Sequence, residues 1–178
     1  MELNEVTLSR EDIFKGRVFE IHKDIVKLPD GTQAYREVVE HTGGVCIAAV
    51  DEDNHIFLVE QFRYPIKKIT LEVPAGKLEF NEDPLKAAIR ELSEETGFSA
   101  GNIVKIGSFY PSPGFCSELL HFYLATDLVQ GEQHLDEGEF LRCIRMPLKE
   151  AVEKVLSDEI DDGKTKALIM LADRIINK

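Results

Sequence analysis

The segment GKLEFNEDPLKAAIRELSEETGF, residues 76–98, crowds acidic side chains into a short stretch that also carries strong helix signals. Glu91 and Glu95 lie about one helical turn apart, and like charges at this spacing destabilise a helix by roughly 0.2–0.5 kcal/mol per pair. A helix shaped by stability alone avoids this arrangement. The acids therefore either form a solvated face or require a positive group that the sequence does not supply.

The same segment predicts where its helix begins, ends and packs. Asp83 suits the N-cap, Pro84 the first helical position and Gly97 the left-handed position after the last turn. At about 100° per residue, Glu91 and Glu95 lie on one ridge beside an apolar stripe. We therefore expect both carboxylates to border the core. The stripe predicted to be buried consists of Leu85, Ala88, Ile89 and Leu92.

Carboxylate oxygens grouped on one ridge suit Mg²⁺, which prefers carboxylates, waters and substrate phosphates as ligands. The residues before the helix offer another oxygen, because Gly76 permits a tight turn that would aim the carbonyl of Ala75 at the ridge. A strand, a loop and a helix that converge in this way would form a cradle for a metal. A plain solvated Glu face is the alternative.

Length and charge limit the classes of protein to consider. A chain of 178 residues, 43% of them apolar, suits one globular domain with a small appendage. The net charge of −12 disfavours nucleic acids and anionic membranes as partners. No apolar run reaches the roughly 20 residues that span a bilayer, and the first residues lack a signal-peptide pattern. Cys46, Cys116 and Cys143 have no metal or redox spacing, so we expect a reduced, cytoplasmic protein.

The pattern along the chain predicts an α/β fold preceded by a separate small sheet. Residues 17–41 alternate around PDGT and predict an antiparallel hairpin. We place a boundary between residues 1–42, an N-terminal antiparallel sheet, and residues 43–178. Because isolated hairpins are marginally stable in water, the first segment needs a partner surface. Further strands are predicted in GVCIAAV, IFLVEQFRY, TLEVPAGKL, IVKIGSFY, ELLHFYLATDLV and FLRCIRM, and helices in LKEAVEKVLSDEI and KTKALIMLADRIIN.

The acidic helix and its flanks resemble the signature box of the Nudix hydrolase family. The family spacing is Gly, five residues, Glu, seven residues, Arg-Glu-apolar-any-Glu-Glu-any-Gly-apolar. This chain fills it without departure, with Gly76, Glu82, Arg90, Glu91, Leu92, Glu94, Glu95, Gly97 and Phe98. At average residue frequencies, a chance match is on the order of 10⁻⁸.

Within that family the chain looks most like the ADP-ribose pyrophosphatases. The segments that carry this resemblance are REVVEH (36–41), VEQFRYP (59–65), LEVPAG (71–76), YPSPGFCSE (110–118) and DEGEFL (136–141). Pro113, about 15 residues after the box, matches the usual marker of the subfamily. Hydrolases of related sugar nucleotides share several of these segments.

The resemblance implies a Nudix-type α/β/α sandwich with a mixed sheet. It also implies Mg²⁺-dependent cleavage of the pyrophosphate bond of ADP-ribose, or of a similar ADP-sugar, to AMP and ribose 5-phosphate, with Mn²⁺ as a substitute metal. Arg90 is expected to hold a box glutamate through a salt bridge while pointing away from the ridge. The implied metal-binding residues are Ala75, through its carbonyl, and Glu82, Glu91, Glu94 and Glu95.

The remaining roles are less fixed by the sequence. In the subfamily the general base comes from the loop at residues 136–139, which makes Glu139 and Glu137 the candidates, beside Glu95 as a catalytic metal ligand. A plain acidic surface loop is the alternative. The predicted substrate-binding residues are Arg36 and Arg63, whose guanidinium groups suit phosphate, then Glu40 or Glu37 for sugar or adenine, Phe19 for stacking, and Pro113.

In related pyrophosphatases the N-terminal segment pairs with a second subunit, so the resemblance also implies a homodimer. Three other functions stay open. One is a Nudix hydrolase of another nucleotide, such as a GDP-sugar, a dinucleotide or an oxidised nucleoside triphosphate. Another is a non-catalytic sensor that binds ADP-ribose, although such modules usually lose box carboxylates. The last is a structural Ca²⁺-binding protein, which the lack of EF-hand spacing disfavours.

Overall fold

Ten strands and three helices occupy residues 2–178, the part of the chain that this computed structural model describes. The strands are β1 (Val6–Lys15), β2 (Phe19–Lys27), β3 (Gln33–His41), β4 (Gly44–Val50), β5 (His55–Arg63), β6 (Lys68–Glu72), β7 (Ala75–Lys77), β8 (Phe98–Phe109), β9 (Leu120–Gln130) and β10 (Leu141–Pro147). The helices are α1 (Pro84–Thr96), α2 (Leu148–Leu156) and α3 (Gly163–Ile176), and a 3-10 turn covers Tyr64–Ile66. No helix among residues 2–178 has both the length and the apolar character needed to span a membrane.

The described residues divide into two compact units. The first comprises the residues up to Gly43 together with Tyr110–Leu119, and the second comprises Gly44–Phe109 and Leu120–Lys178. The predicted division into residues 1–42 and 43–178 did not assign the later segment to the first unit. Backbone hydrogen bonds join that segment to β3, among them the bond from Val39 N to Phe115 O at 2.8 Å. The role of residues 1–42 in dimerisation stays a prediction.

The first unit is built on an antiparallel sheet in the order β1-β2-β3. Its β2–β3 hairpin confirms the prediction for residues 17–41, with Phe19 opposite His41. The turn is made by Asp30, whose carboxylate accepts from Thr32 N at 2.9 Å, and by Gly31 at φ +88°. Strand β1 was not predicted. Two irregularities in its pairing with β2 interrupt the period of two that identifies a strand in a sequence.

The second unit is an α/β/α sandwich, as predicted. Its mixed sheet has the order β10-β5-β4-β9-β8, with β6 paired to β5 and β7 paired to β4. Strand β4 runs parallel to β9, and all seven of its residues are buried because both faces of the strand are covered. Val45, Ile47 and Ala49 pack in the cluster that includes α1. Cys46, Ala48 and Val50 pack in the cluster that includes α2 and α3.

Helix α1 confirms the predicted ends but corrects the predicted stripe. Asp83 caps the helix by accepting from the backbone amides of its first turn, and Gly97 has φ +76°. Leu85 and Ile89, predicted to be buried, are 40% and 49% exposed. The small alanines let the helix approach β4 closely, so the buried face turns toward its C-terminal glutamate. That face consists of Ala87, Ala88, Leu92, Glu95 and Thr96.

Candidate active site

Glu95 occupies a buried position between the last turn of α1 and the short strand β7. Its residue is only 3% exposed, and its Oε2 accepts a hydrogen bond from Ala75 N at 3.0 Å. Ala75 is itself fixed by pairing with Cys46 of the central strand. The helix and the strand thus bring together the two positions that the sequence assigned to a metal.

Glu91 lies one turn earlier and covers the backbone of Gly76. A Cβ atom on Gly76 would lie 1.8 Å from the carboxyl carbon of Glu91, so any side chain there would displace the carboxylate. The predicted tight turn at Gly76 is wrong, because the residue lies within β7. Glycine is required here for the close approach of a carboxylate to the backbone.

Arg90 ties the other box acids together. Its Nη1 donates to Glu91 Oε1 at 2.7 Å and to Glu94 Oε2 at 2.8 Å. Its Nε and Nη2 each contact one oxygen of Glu82 at 3.2 Å. The predicted salt bridge to a box glutamate is therefore present, but the guanidinium reaches back to the ridge instead of pointing away from it. Arg90 holds Glu82, Glu91 and Glu94 in one network.

The electrostatics of the ridge favour a cation. Burial is the main cause that raises the pKa of Glu95 to about 8, and the charges of Glu139 and Glu91 add to the rise. The hydrogen bond from Ala75 N has the opposite effect and lowers this pKa. Burial also raises the pKa of Glu91; Arg90 opposes this shift, while the charges of Glu94 and Glu139 add to it. Two acids that are difficult to ionise and lie among other acids would be stabilised by a divalent ion.

The loop between β9 and β10 brings Glu139 to this ridge. The loop is fastened to the end of α1, because His134 N donates to Glu94 O at 3.1 Å and Gly131 N donates to Gly97 O at 2.7 Å. Glu139 is partly buried, and its charge acts on both ridge acids. The neighbouring candidate Glu137 is exposed. Which of the two is the base stays a prediction.

Arg63 also lies near the ridge, since its charge lowers the pKa of Glu95. It is anchored by Glu72, a residue to which the sequence analysis gave no role. Glu72 is 1% exposed, and its carboxylate accepts hydrogen bonds from Arg63 Nε and Nη2 at 2.7 Å each. It also binds the ammonium group of Lys164 from α3. The signal for Glu72 was available, because in an extended TLEVPAG segment Thr70 and Glu72 share a face.

The other predicted substrate-binding residues lie in the first unit. Arg36 Nε donates to Glu5 at 2.9 Å, and Glu40 lies 3.4 Å from His22 Nε2 and 3.5 Å from Arg10. The structure thus gives each of these charged side chains a partner within the unit. Three further candidates are exposed to solvent, namely Phe19, Glu37 and Pro113. Their binding to a substrate stays a prediction.

Among residues 2–178, three potential ligand atoms within 4.8 Å of one another occur at Asp51, Asp53 and His55. This group is the turn between β4 and β5. Asp51 Oδ1 accepts from the backbone amides of Asp53 at 3.0 Å and His55 at 2.9 Å. Arg145 binds both aspartates, at 2.7 and 2.9 Å. The turn and the arginine account for these acids without a metal.

The ridge fits a hard divalent cation better. Its donors are all oxygens, from Glu91, Glu95 and the backbone at Ala75, and hard cations prefer oxygen ligands. Glycine at position 76 leaves the backbone uncovered where Glu91 approaches it. Burial raises the pKa of both glutamates and the neighbouring acids add to the shift, so a bound cation would favour their ionised forms.

Comparisons with known proteins show what this chain is similar to. A sequence profile of the NUDIX domain matches residues 34–168. An ADP-ribose pyrophosphatase of Bacillus subtilis is 42% identical over 165 residues, which cover 92% of this chain and 89% of that protein. A methanol dehydrogenase activator of Bacillus methanolicus is 44% identical over 163 residues, covering 90% and 88%. The crystal structure of an ADP compounds hydrolase superposes with a TM-score of 0.85 at 22% identity, covering 99% of this chain and 97% of the other.

Proposed function

This chain belongs to the Nudix family, and we propose that it hydrolyses the pyrophosphate bond of ADP-ribose, or of a similar ADP-sugar, to AMP and ribose 5-phosphate with Mg²⁺ as cofactor. The observation that carries the proposal is the grouping of Glu95 and Glu91 against the backbone of Ala75 and Gly76, where the charge of Glu139 acts on both carboxylates. The ADP-ribose pyrophosphatase of Bacillus subtilis supports the substrate, because the similarity extends over most of both chains.

Ala75, through its carbonyl, and the carboxylates of Glu91 and Glu95 would hold the metal. A bound divalent ion supplies charge neutralisation at the phosphates and lowers the pKa of a bound water. Glu82 and Glu94 hold Arg90, and Arg90 in turn holds Glu91 against the backbone of β7. The rigid network fixes the carboxylate before substrate arrives.

We assign the general base to Glu139 in preference to Glu137. Glu139 is partly buried and its charge acts on both ridge acids, whereas Glu137 is exposed. An ionised carboxylate there takes a proton from that water as the bond to phosphorus forms. Arg63 binds a phosphate oxygen, because its guanidinium is held at the ridge by Glu72.

The first unit is assigned to assembly and to contacts with substrate. Arg36, Glu40, Phe19 and Pro113 remain the proposed contacts there. Strand β1 exposes Val6, Leu8, Ile13 and Phe14. We propose that a second copy of the chain covers these side chains in a homodimer, which light scattering would show as twice the mass of 20.1 kDa. A monomer at micromolar concentration would contradict it.

We propose a cytoplasmic location and a sugar nucleotide as the partner, with no nucleic acid or membrane. The three cysteines are free thiols, which fits a reducing compartment. The net charge of −12 opposes binding to a polyanion.

The function is tested by hydrolysis of ADP-ribose, ADP-glucose, GDP-mannose and 8-oxo-dGTP, each with Mg²⁺ and with EDTA. We expect AMP and ribose 5-phosphate from ADP-ribose at the highest kcat/KM, and no turnover with EDTA. Faster cleavage of GDP-mannose or 8-oxo-dGTP would overturn the substrate assignment. Binding of ADP-ribose without turnover would indicate a sensor instead of an enzyme.

A further inference from the structure

The first turn of α3 makes an ionic contact with the strand that leads to the site. Lys164 lies in this turn with only 16% of its side chain exposed. Its ammonium group binds Glu72 on β6 and Asp162, the N-cap of α3, the latter at 2.9 Å. Burial of an ammonium group is costly unless it has partners. A lysine this buried therefore indicates a specific contact and not a role in solubility.

Glu72 is shared between two cations. Each of its oxygens receives one hydrogen bond from Arg63 at 2.7 Å, and Oε2 also receives Lys164. Thr70 Oγ1 donates a fourth hydrogen bond, at 2.5 Å to Oε1. Burial would raise the pKa of Glu72, yet these bonds and charges lower it to about 2. The carboxylate is therefore ionised at any pH at which the enzyme would work.

We propose that Lys164 is a positioning residue for Arg63, acting through Glu72, and that it sets the affinity of the site for the pyrophosphate group. The inference rests on the proposed function, in which Arg63 binds a phosphate oxygen. Lys164 itself does not touch substrate. Its contribution is to share the carboxylate that anchors the guanidinium.

The physical reason is the balance of charge at Glu72. Lys164, which also binds Asp162, gives Glu72 a second cation, so Arg63 is not the only positive group that balances this carboxylate and its guanidinium can also bind an incoming phosphate. Its bonds to Glu72 use Nε and Nη2, and Nη1 stays outside this pair. Without Lys164, the buried carboxylate would be neutralised by Arg63 alone. The guanidinium would then be held more tightly to Glu72 and would bind the substrate phosphate less strongly.

The same turn of α3 also fixes the backbone beside the ridge. Thr165 Oγ1 accepts from Val73 N at 3.0 Å, and Thr165 N donates to Asp162 at 3.0 Å. Val73 is two residues before Ala75. Lys164 is therefore held by a turn that is itself bonded to the site, which keeps its ammonium group at a fixed distance from Glu72.

The test measures KM and kcat for Lys164→Met, Lys164→Arg and a matched control, Lys166→Met. Lys166 is two residues along the same helix and pairs with Asp158, which is 81% exposed. We expect Lys164→Met to raise KM by about 10-fold or more while kcat changes by less than about 3-fold, in the range for loss of a supporting partner. Lys164→Arg is expected to restore most of the affinity. Lys166→Met is expected to behave like wild type.

A double-mutant cycle separates positioning from a general structural role. In the Arg63→Lys background the effect of Lys164→Met on KM should largely vanish, because the residue acts through Arg63. Equal effects in both backgrounds, or an unchanged KM, would overturn the inference. If Lys164→Met does not fold, Lys164→Gln, whose neutral amide can still donate a hydrogen bond in place of the ammonium group, must raise KM likewise; an unchanged KM in that variant would also overturn the inference.

The outcome is distinguishable from failure of the proposed function. Binding of the unreactive α,β-methylene analogue of ADP-ribose by calorimetry reports affinity without turnover, and it should weaken with Lys164→Met. If wild type hydrolyses another substrate of the panel better, the same cycle is run with that substrate. A coupled KM then supports the role of Lys164 while the assignment to ADP-ribose fails.

Discussion

Two buried glutamates of the second unit, Glu72 on β6 and Glu95 on α1, show opposite electrostatics. Glu72 is 1% exposed and Glu95 is 3% exposed, so both lose nearly all contact with water. Yet the pKa of Glu72 falls to about 2, whereas that of Glu95 rises to about 8. The opposite pKa shifts arise from the groups that surround each carboxylate. Glu72 bonds directly to Arg63, Lys164 and Thr70, whereas Glu95 accepts one backbone amide, lies among other acids and has only a weaker opposing charge from Arg63.

The difference separates a carboxylate that the fold has compensated from one that it has left in need of a cation. The compensated one anchors an arginine and stabilises the fold. The other reduces stability when it is ionised and the metal is absent, which is typical of a functional site. Burial alone would not have distinguished the two residues.

The largest effect is expected for Glu95→Gln. Because the amide cannot carry the charge that holds the metal, turnover should fall by more than about 100-fold, corresponding to the several kcal/mol that a metal contributes. Steady-state hydrolysis of ADP-ribose with Mg²⁺ measures this. Glu79→Gln serves as the control, since Glu79 is exposed just before the helix. Wild-type turnover in Glu95→Gln would remove the ridge from the mechanism.

A substitution at Gly76 tests the same ridge without removing an acid. In Gly76→Ala the new Cβ would lie 1.8 Å from the Glu91 carboxyl carbon, so the carboxylate must move away from β7. We expect a loss of about 10- to 100-fold in metal affinity, comparable with the loss of a supporting contact at a metal site. Titration with Mn²⁺ measures the affinity. Gly114→Ala is the control, since nothing lies within 4 Å of its Cβ, and equal affinity in both variants would contradict the packing argument.

The stability of the metal-free protein should depend on pH in opposite ways at the two glutamates. The pKa of Glu72 is lowered from 4.5 to about 2, so its contribution of about 3 kcal/mol is present above pH 4.5 and lost as the pH falls through 2. Denaturant unfolding of wild type and Glu72→Gln measures it. The free-energy difference between them should shrink as the pH falls, and a constant difference would be contrary to the lowered pKa.

The pKa of Glu95 is raised from 4.5 to about 8, so the sign reverses. The stability associated with its protonated form is complete below pH 4.5 and is lost as the pH rises through 8. In EDTA, Glu95→Gln should therefore gain stability relative to wild type as the pH rises over this range. If Glu95→Gln gained no stability, or gained it only at acidic pH, the protein would already balance the charge of Glu95.

The smallest effect is expected at the turn between β4 and β5. Asp53 is an exposed ion-pair partner of Arg145, and such pairs contribute about 0–1 kcal/mol. Asp53→Asn should leave Mg²⁺ activation unchanged and alter unfolding free energy by less than about 1 kcal/mol. A shift in the Mg²⁺ concentration that gives half-maximal activity would instead identify this turn as the metal site.

The sequence predicted the parts of the fold and site that are local in the chain. The ends of α1, the hairpin and the ridge of Glu91 and Glu95 all follow from spacing within a few residues. Leu85 and Ile89 were misplaced, because which face of a helix is buried depends on how closely small side chains let it approach the sheet. The contact between Lys164 and Glu72 spans 92 residues, and no local pattern indicates it.

The most direct test of the metal ridge is an anomalous difference map from crystals soaked in Mn²⁺ with the unreactive ADP-ribose analogue. We expect a peak bound by Glu91, Glu95 and the carbonyl of Ala75, with the pyrophosphate group beside it. A peak at Asp51, Asp53 and His55, with the ridge oxygens left unbound, would contradict the assignment of these acids as the metal ligands.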